Sequence, residues 1–181
     1  IKVNEHPILG KGILELTDII SSPYPGASVV PSICSATFDR RTLVGEDEAF
    51  ILGQVEEAIE EAKKKVPDLK ARVYLAQGSE KCWTGETIEA KRYFPAWLID
   101  EKDELVQKAL AGLKEAGIDA PISHFAFCTN GSHFCGEAGI PCIGFGPSLE
   151  SLAHVRDEYI EIDQLKKACR GFYGILSQLT K

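Results

Sequence analysis

The stretch from His124 to Asp163 constrains this chain more than any other. Its forty residues hold three of the four histidines (His124, His133, His154) and three of the six cysteines (Cys128, Cys135, Cys142). Five glycines punctuate it: Gly131, Gly136, Gly139, Gly144 and Gly146. Short apolar runs at 124–128 and 141–145 alternate with Gly-rich turns. An α/β protein presents loops at strand ends in this way, and ligands bind there.

The remaining composition narrows the class. At 181 residues the chain can bury a core and organise one or two domains. Its 44% hydrophobic and 26% charged residues, with mean hydropathy −0.07, are those of a soluble globular protein. No apolar run approaches the length of a membrane span, and IKVNEHPILGKG lacks the basic and apolar regions of a signal peptide. The cysteines sit mostly inside apolar runs, which predicts reduced thiols in a cytoplasmic protein. A net charge of −7 argues against nucleic acid as the main partner. Lys63-Lys64-Lys65 ends a helical pattern that opens with Glu46-Asp47-Glu48, so dipole complementarity explains both clusters. The chain begins at Ile1 and contains no methionine, and is expected to be a processed or excerpted part of something longer.

Along the chain, ILELTDII (13–20) reads as a strand, SSPYPG (21–26) as a loop and SICSATFDRR (32–41) as the clearest strand. Gly45 opens a helix to about Lys65, with a stripe at Ile51, Val55, Ala58, Ile59, Ala62 and Val66. Pro67 ends it, and ARVYLAQ (71–77) is predicted as a further strand. Residues 78–98 have weak periodicity and read as a domain crossover. Asp100 is placed as the cap of a helix running to Ala116. A strand at 124–128, a short helix at 131–138 and a strand at 141–145 are expected next. A last helix runs from an Asp163 cap, with Leu165, Cys169, Phe172, Leu176 and Leu179 on its apolar face. Helices alternating with strands make this second region α/β.

Several chemistries are compatible with the central stretch. Zinc needs several His, Cys or carboxylate ligands converging on one point. His133, Cys135, Cys142 and His154 could be assembled, yet His133 and Cys135 are two apart on a short helix and point to different sides. Cys128 and Cys142 read equally well as small buried hydrophobes. His154 lies in a Gly/Ser-rich loop, where a histidine is either solvated or a ligand. Cys135 beside His133 is conceivable as a nucleophile. Arg41, at a strand end, could clamp a carboxylate or simply be solvated. Asn130-Gly131-Ser132 could offer N–H groups to an anion or merely cap a helix.

The segment TNGSHFCGEAGIPCIGFGPSLESLAHVRDEYIEIDQL closely resembles the C-terminal signature of the zinc-dependent aminoacylase and exopeptidase family. That family includes acetylornithine deacetylase, succinyl-diaminopimelate desuccinylase and carboxypeptidase G. The order matches: a T-x-G turn, a helix, a GIP strand, a GFGP loop, AH-x-x-DEY and a closing helix. SVVPSICSATFDRRTLVGED resembles the end of that family's lid domain, and KRYFPAW looks most like the putative peptidase branch associated with selenium metabolism.

The resemblance implies an α/β fold. Residues 1–80 would be the second half of an α+β, ferredoxin-like lid and dimerisation domain, and 81–181 the C-terminal segment of a di-zinc hydrolase domain. It implies a site with two metal ions, usually zinc, with cobalt or manganese as alternatives, whose activated water attacks an amide carbonyl. His154 falls on a metal ligand, Arg41 on the grip for the substrate carboxylate, and Thr129, Asn130 and Gly131 on the turn beside that carboxylate. The implied substrate is an N-acyl amino acid or small peptide, and the implied partners are the enzyme's N-terminal part and a second copy through the lid.

The chain departs from the pattern at Ser28, where relatives often have Asn, and at NGSH in the T-x-G turn. The family's H-x-D motif, bridging Asp, Glu-Glu pair and next carboxylate ligand are not recognisable. The chain alone is therefore expected to be inactive, and no residue is assigned as its catalytic base. The alternative is a non-catalytic dimerisation or ligand-binding remnant of the same family.

Overall fold

The computed structural model describes residues 1–181, which form two compact units, Ile1–Ala96 and Trp97–Lys181. In the first, β1 (Glu5–His6) and β2 (Gly10–Lys11) make a small hairpin ahead of β3 (Ile13–Ser22). β3 pairs antiparallel with β4 (Ile33–Arg41), from Ile13↔Arg41 to Ser22↔Ile33, with a bulge between Leu16 and Asp18. Both strands stand where their alternation and β-branched residues predict. Gly45, at φ 89°, turns the chain into α1 (Glu48–Lys65). The Asp47 carboxylate caps that helix by accepting from the Phe50 amide at 2.8 Å.

The strand expected at 71–77 does not form. Strand pairing begins at its last residue, with β5 (Gln77–Lys81) and β6 (Thr87–Lys91) in register from Gln77↔Lys91 to Lys81↔Thr87. The region expected as an irregular crossover thus contains a hairpin, its turn made by Gly85 at φ 96°. A strand exists only through its neighbour: 87–91 supplies one to 77–81, whereas 71–76 receives only the Arg92 N–H on the Ala76 carbonyl at 2.8 Å.

The second unit is helical. α2 (Glu104–Glu115) is capped by Asp103, not Asp100; Asp103 Oδ1 accepts from the Leu105 amide at 2.8 Å. Asp100 instead shapes the preceding turn, accepting from the Lys102 amide at 2.8 Å. α3 (Ile162–Leu179) starts one residue before Asp163, with Glu161 at the cap position. The runs 124–128 and 141–145 carry no strand ladder, which corrects the two strands expected there. They are neighbours nonetheless. Phe125 lies against Gly144 and stacks on Phe127 with centroids 5.0 Å apart, as side chains two apart on an extended run can. The result is a mixed helix and strand chain, but its strands are confined to the first unit.

The face α3 buries is also not the predicted one. Ala168, Gly171, Gly174 and Ile175 are buried, while Leu165, Cys169, Phe172 and Leu176 are exposed. Gly112 of α2 and Gly174 of α3 meet backbone to backbone, so closely that a Cβ on either would overlap the other's carbonyl. Ala109, Leu113 and Ile175 form the core there, with Ile118, Ala120, Ile143 and Phe145 packed around them. No helix is long and apolar enough to cross a membrane.

The accessible area is 13919 Å². Two compact units of half this mass would together expose roughly 10,400 Å². Ile13, Leu16, Ile19, Ile20, Ile33 and Phe38 are exposed on a ribbon of only two strands, which rarely stands alone in water.

The helical glycines divide cleanly by what surrounds them. Gly53, inside α1, has nothing within 4 Å of an added Cβ. Gly53→Ala is expected to stabilise the chain by about 0.5–1 kcal/mol, read as a raised urea midpoint at unchanged m-value.

Candidate functional site

His154 lies in the loop between α2 and α3. A short 3₁₀ turn, Glu150–Leu152, precedes it. The loop is held by side chains that cap its amides. Glu150 Oε1 accepts from the Ala126 amide at 2.8 Å, Gln164 Oε1 from Ser148 at 2.6 Å, and Glu158 Oε2 from the amide of His154 itself at 3.0 Å. Ser148 (φ 82°), His154 (φ 60°) and Asp157 (φ 59°) all take the left-handed conformation, and they are the chain's only non-glycine residues that do. Such conformations cost energy and persist where surrounding bonds over-determine them, often at functional sites. The backbone of His154 is thus fixed, while its exposed imidazole carries no hydrogen bond or ion pair.

The Thr129–Gly131 turn is built by a different device. Thr129 Oγ1 accepts from the Gly131 amide at 3.2 Å, and the Thr129 carbonyl accepts from Ser132 at 3.0 Å. These bonds start a π-helical turn, Ser132–Glu137, within the short helix expected at 131–138, and Ser132 is buried at its base. Glu150, by holding Ala126, ties the run leading into this turn to the loop leading into His154. Gly131 has a packing reason for its identity, because an added Cβ would lie 2.5 Å from the Trp97 indole. Gly131→Ala is expected to cost about 1–3 kcal/mol and to shift Trp97 emission as the ring is displaced. Unchanged emission and stability would show that Trp97 moves aside freely.

Arg41 belongs to the first unit. Its side chain is 47% exposed, and its guanidinium is bonded to Asp39 Oδ2 at 3.2 Å, two residues back on the same strand face. A ligand carboxylate there has to compete with Asp39.

Sequence reasoning missed the next residue in, Arg40, whose side chain is 10% exposed and paired with Glu46 Oε2 at 3.2 Å. The Glu46 carboxylate also accepts from Asn4 Nδ2 at 2.9 Å and the Leu43 amide at 3.1 Å, and its carbonyl accepts from Tyr93 at 3.1 Å. Thr42 Oγ1 donates to the Phe94 carbonyl at 3.4 Å and accepts from the Ala96 amide at 3.2 Å. Around Arg41, the end of β4 is stitched in place. The available signal was the alternation itself, which turns Arg40 inward when Arg41 faces out.

No three His, Cys, Asp or Glu side chains converge where they could hold a metal ion. His133 Nδ1 is bonded to Glu137 Oε2 at 2.7 Å, and the Cys128 thiol contacts Ser132 Oγ at 3.7 Å, which divides the histidine and cysteine candidates among local partners. Burial pushes the Cys142 thiol up, with a further contribution from Cys135.

Residues 8–178 match the pattern of peptidase family M20/M25/M40. Among curated proteins, "Uncharacterized protein YgeY" of Escherichia coli strain K12 is 33% identical over 152 residues, covering 83% of this chain and 36% of its own length. The protein of the same name in Escherichia coli O157:H7 gives the same figures. The chain therefore spans little more than a third of the length of the curated relatives it matches. No solved structure matches it. With the match running through the strand pair, the hairpin and the His154 loop alike, the chain belongs to peptidase family M20/M25/M40.

Proposed function

We propose that this chain is the C-terminal part of a metal-dependent amide hydrolase acting on N-acyl amino acids or small peptides with a free carboxylate. Residues 1–80 are read as the second half of a lid that dimerises, and 81–181 as the end of the catalytic domain. His154 serves as one metal ligand; Arg41 and the Thr129-Asn130-Gly131 turn receive the substrate carboxylate. Zinc is the proposed metal, with cobalt or manganese as alternatives.

The observation that carries this reading is the His154 loop. Within a chain of a peptidase family, one histidine is held in a strained conformation by side chains that cap its loop, and its imidazole is left open. A ring nitrogen left free by its neighbours is open to a metal ion. The dimer draws support from the exposed, two-stranded β3–β4 ribbon, whose apolar side chains and outer edges are open to a further strand or helix.

The residues of this chain do not fit a complete metal centre, since no three ligands converge. No step is therefore assigned to it alone, and purified 1–181 chain is expected to leave N-acetylated amino acids and dipeptides intact. In a longer protein carrying the chain, His154→Ala is expected to lower kcat/KM by roughly 10³-fold, the several kcal/mol that metal activation supplies. Arg41→Ala removes a charge-assisted bond and is expected to cost roughly 10–100-fold, mostly in KM. Wild-type kinetics in the His154→Ala protein would show that His154 holds no catalytic metal.

A further inference from the structure

Cys135 and Cys142 take no part in the site described above. Cys135 sits in the π-helical turn Ser132–Glu137, and Cys142 in the run 141–145. Between them Gly139, at φ 65°, reverses the chain. The Ala138 amide donates to the His133 carbonyl at 3.0 Å, and the Ile140 amide to Phe134 at 2.8 Å. The residue before Cys135 is therefore bonded to the residue two before Cys142. The Cys142 side chain folds back onto this closure, its Sγ 3.2 Å from the Ile140 carbonyl oxygen. Both side chains are half-buried and both thiols are free.

We propose that Cys135 and Cys142 are a reversible disulfide site, oxidised by a hydroperoxide, that closes the turn from 135 to 142. The Cys135 thiolate attacks the terminal oxygen of ROOH. An S–O bond forms, the O–O bond breaks, and the departing alkoxide takes a proton to leave as ROH, giving a sulfenic acid at Cys135. The Cys142 thiol resolves it. The Cys142 sulfur attacks the Cys135 sulfur, the S–S bond forms, the S–O bond breaks, and the hydroxide leaves as water with the Cys142 proton. Two electrons pass from the sulfur pair to the peroxide, and a thiol reductant reverses the change. The cross-link joins the turn after Thr129–Gly131 to the run that leads into the His154 loop. It does not depend on the hydrolase reading.

The test is peptide mapping of the reduced 1–181 chain after treatment with tert-butyl hydroperoxide and blocking of the remaining thiols. Titratable thiols are expected to fall from six to four, with a mass loss of about 2 Da and one linked peptide joining Cys135 to Cys142. Dithiothreitol should restore all six. Cys135→Ser and Cys142→Ser, each a near-isosteric change at a half-buried site, should each abolish the link. A dominant link between any other pair overturns the proposal. So does sulfinic acid at Cys135 without a link, or six thiols surviving treatment.

Discussion

Glu46→Ala is expected to destabilise the first unit by about 3–5 kcal/mol, among the largest single losses available in this chain. Glu46 is the only carboxylate bonded to the buried guanidinium of Arg40. Two of that group's nitrogens, Nε and Nη1, are already buried without a hydrogen-bond partner, so the charge has nothing to fall back on but the Phe50 ring, 5.9 Å from Cζ. The same substitution releases Asn4 and the Leu43 amide. Removing one partner strands a buried charge, whereas removing both does not. Arg40→Met combined with Glu46→Leu is therefore expected to recover most of the loss. Urea unfolding of the two variants beside the parent measures this. A double variant no better than Glu46→Ala would show that the carboxylate acts through Asn4 and Leu43 rather than through Arg40.

The second large effect belongs to the α2–α3 contact. Gly174→Ala, or Gly112→Ala, places a methyl group inside the opposing backbone, where no rotamer change relieves it. The helices have to separate, and Ile175 and Leu113 lose their packing with them. Overpacking of this kind costs about 3 kcal/mol at the upper end of its usual range. Gly53→Ala, in a helix open to solvent, moves stability the other way and separates the steric effect from helix propensity. Circular dichroism in urea should show loss of the second unit's helices in the α2 and α3 variants. A Gly174→Ala chain as stable as the parent would mean that the close approach is not required.

These two contacts also mark where the sequence was legible and where it was not. β3, β4 and α1 stand almost where alternation and helical period place them, because each is specified by neighbours a few residues away. The strand predicted at 71–77 and those at 124–128 and 141–145 failed for one reason. Apolar runs suit a strand, but only a partner makes one, and the partner is not readable from the run. On α3, periodicity selected the stripe of large side chains, while the helix buries Ala168, Gly171 and Gly174 with Ile175. Gly112, Gly171 and Gly174 were the signal for close packing, and a hydrophobicity count is blind to it. At the site, the resemblance singled out His154, and the structure adds the φ angle and the side-chain clips that hold it. Arg40 was signalled only by the alternation of β4, whereas Trp97 and the Asn4 and Tyr93 contacts of Glu46 were invisible because they join residues far apart in the chain. The large exposed side chains of α3 and of the β3–β4 ribbon remain, on this account, surfaces that the rest of a longer protein and a second copy cover.

We propose that His154 is one ligand of a two-metal site whose other ligands lie outside residues 1–181. Metal content, measured by elemental analysis on a longer protein carrying this chain and on its His154→Ala variant, tests it most directly. Two metal ions per chain are expected in the parent and close to one in the variant, with folding unchanged by circular dichroism. Equal metal content in the two proteins would contradict it.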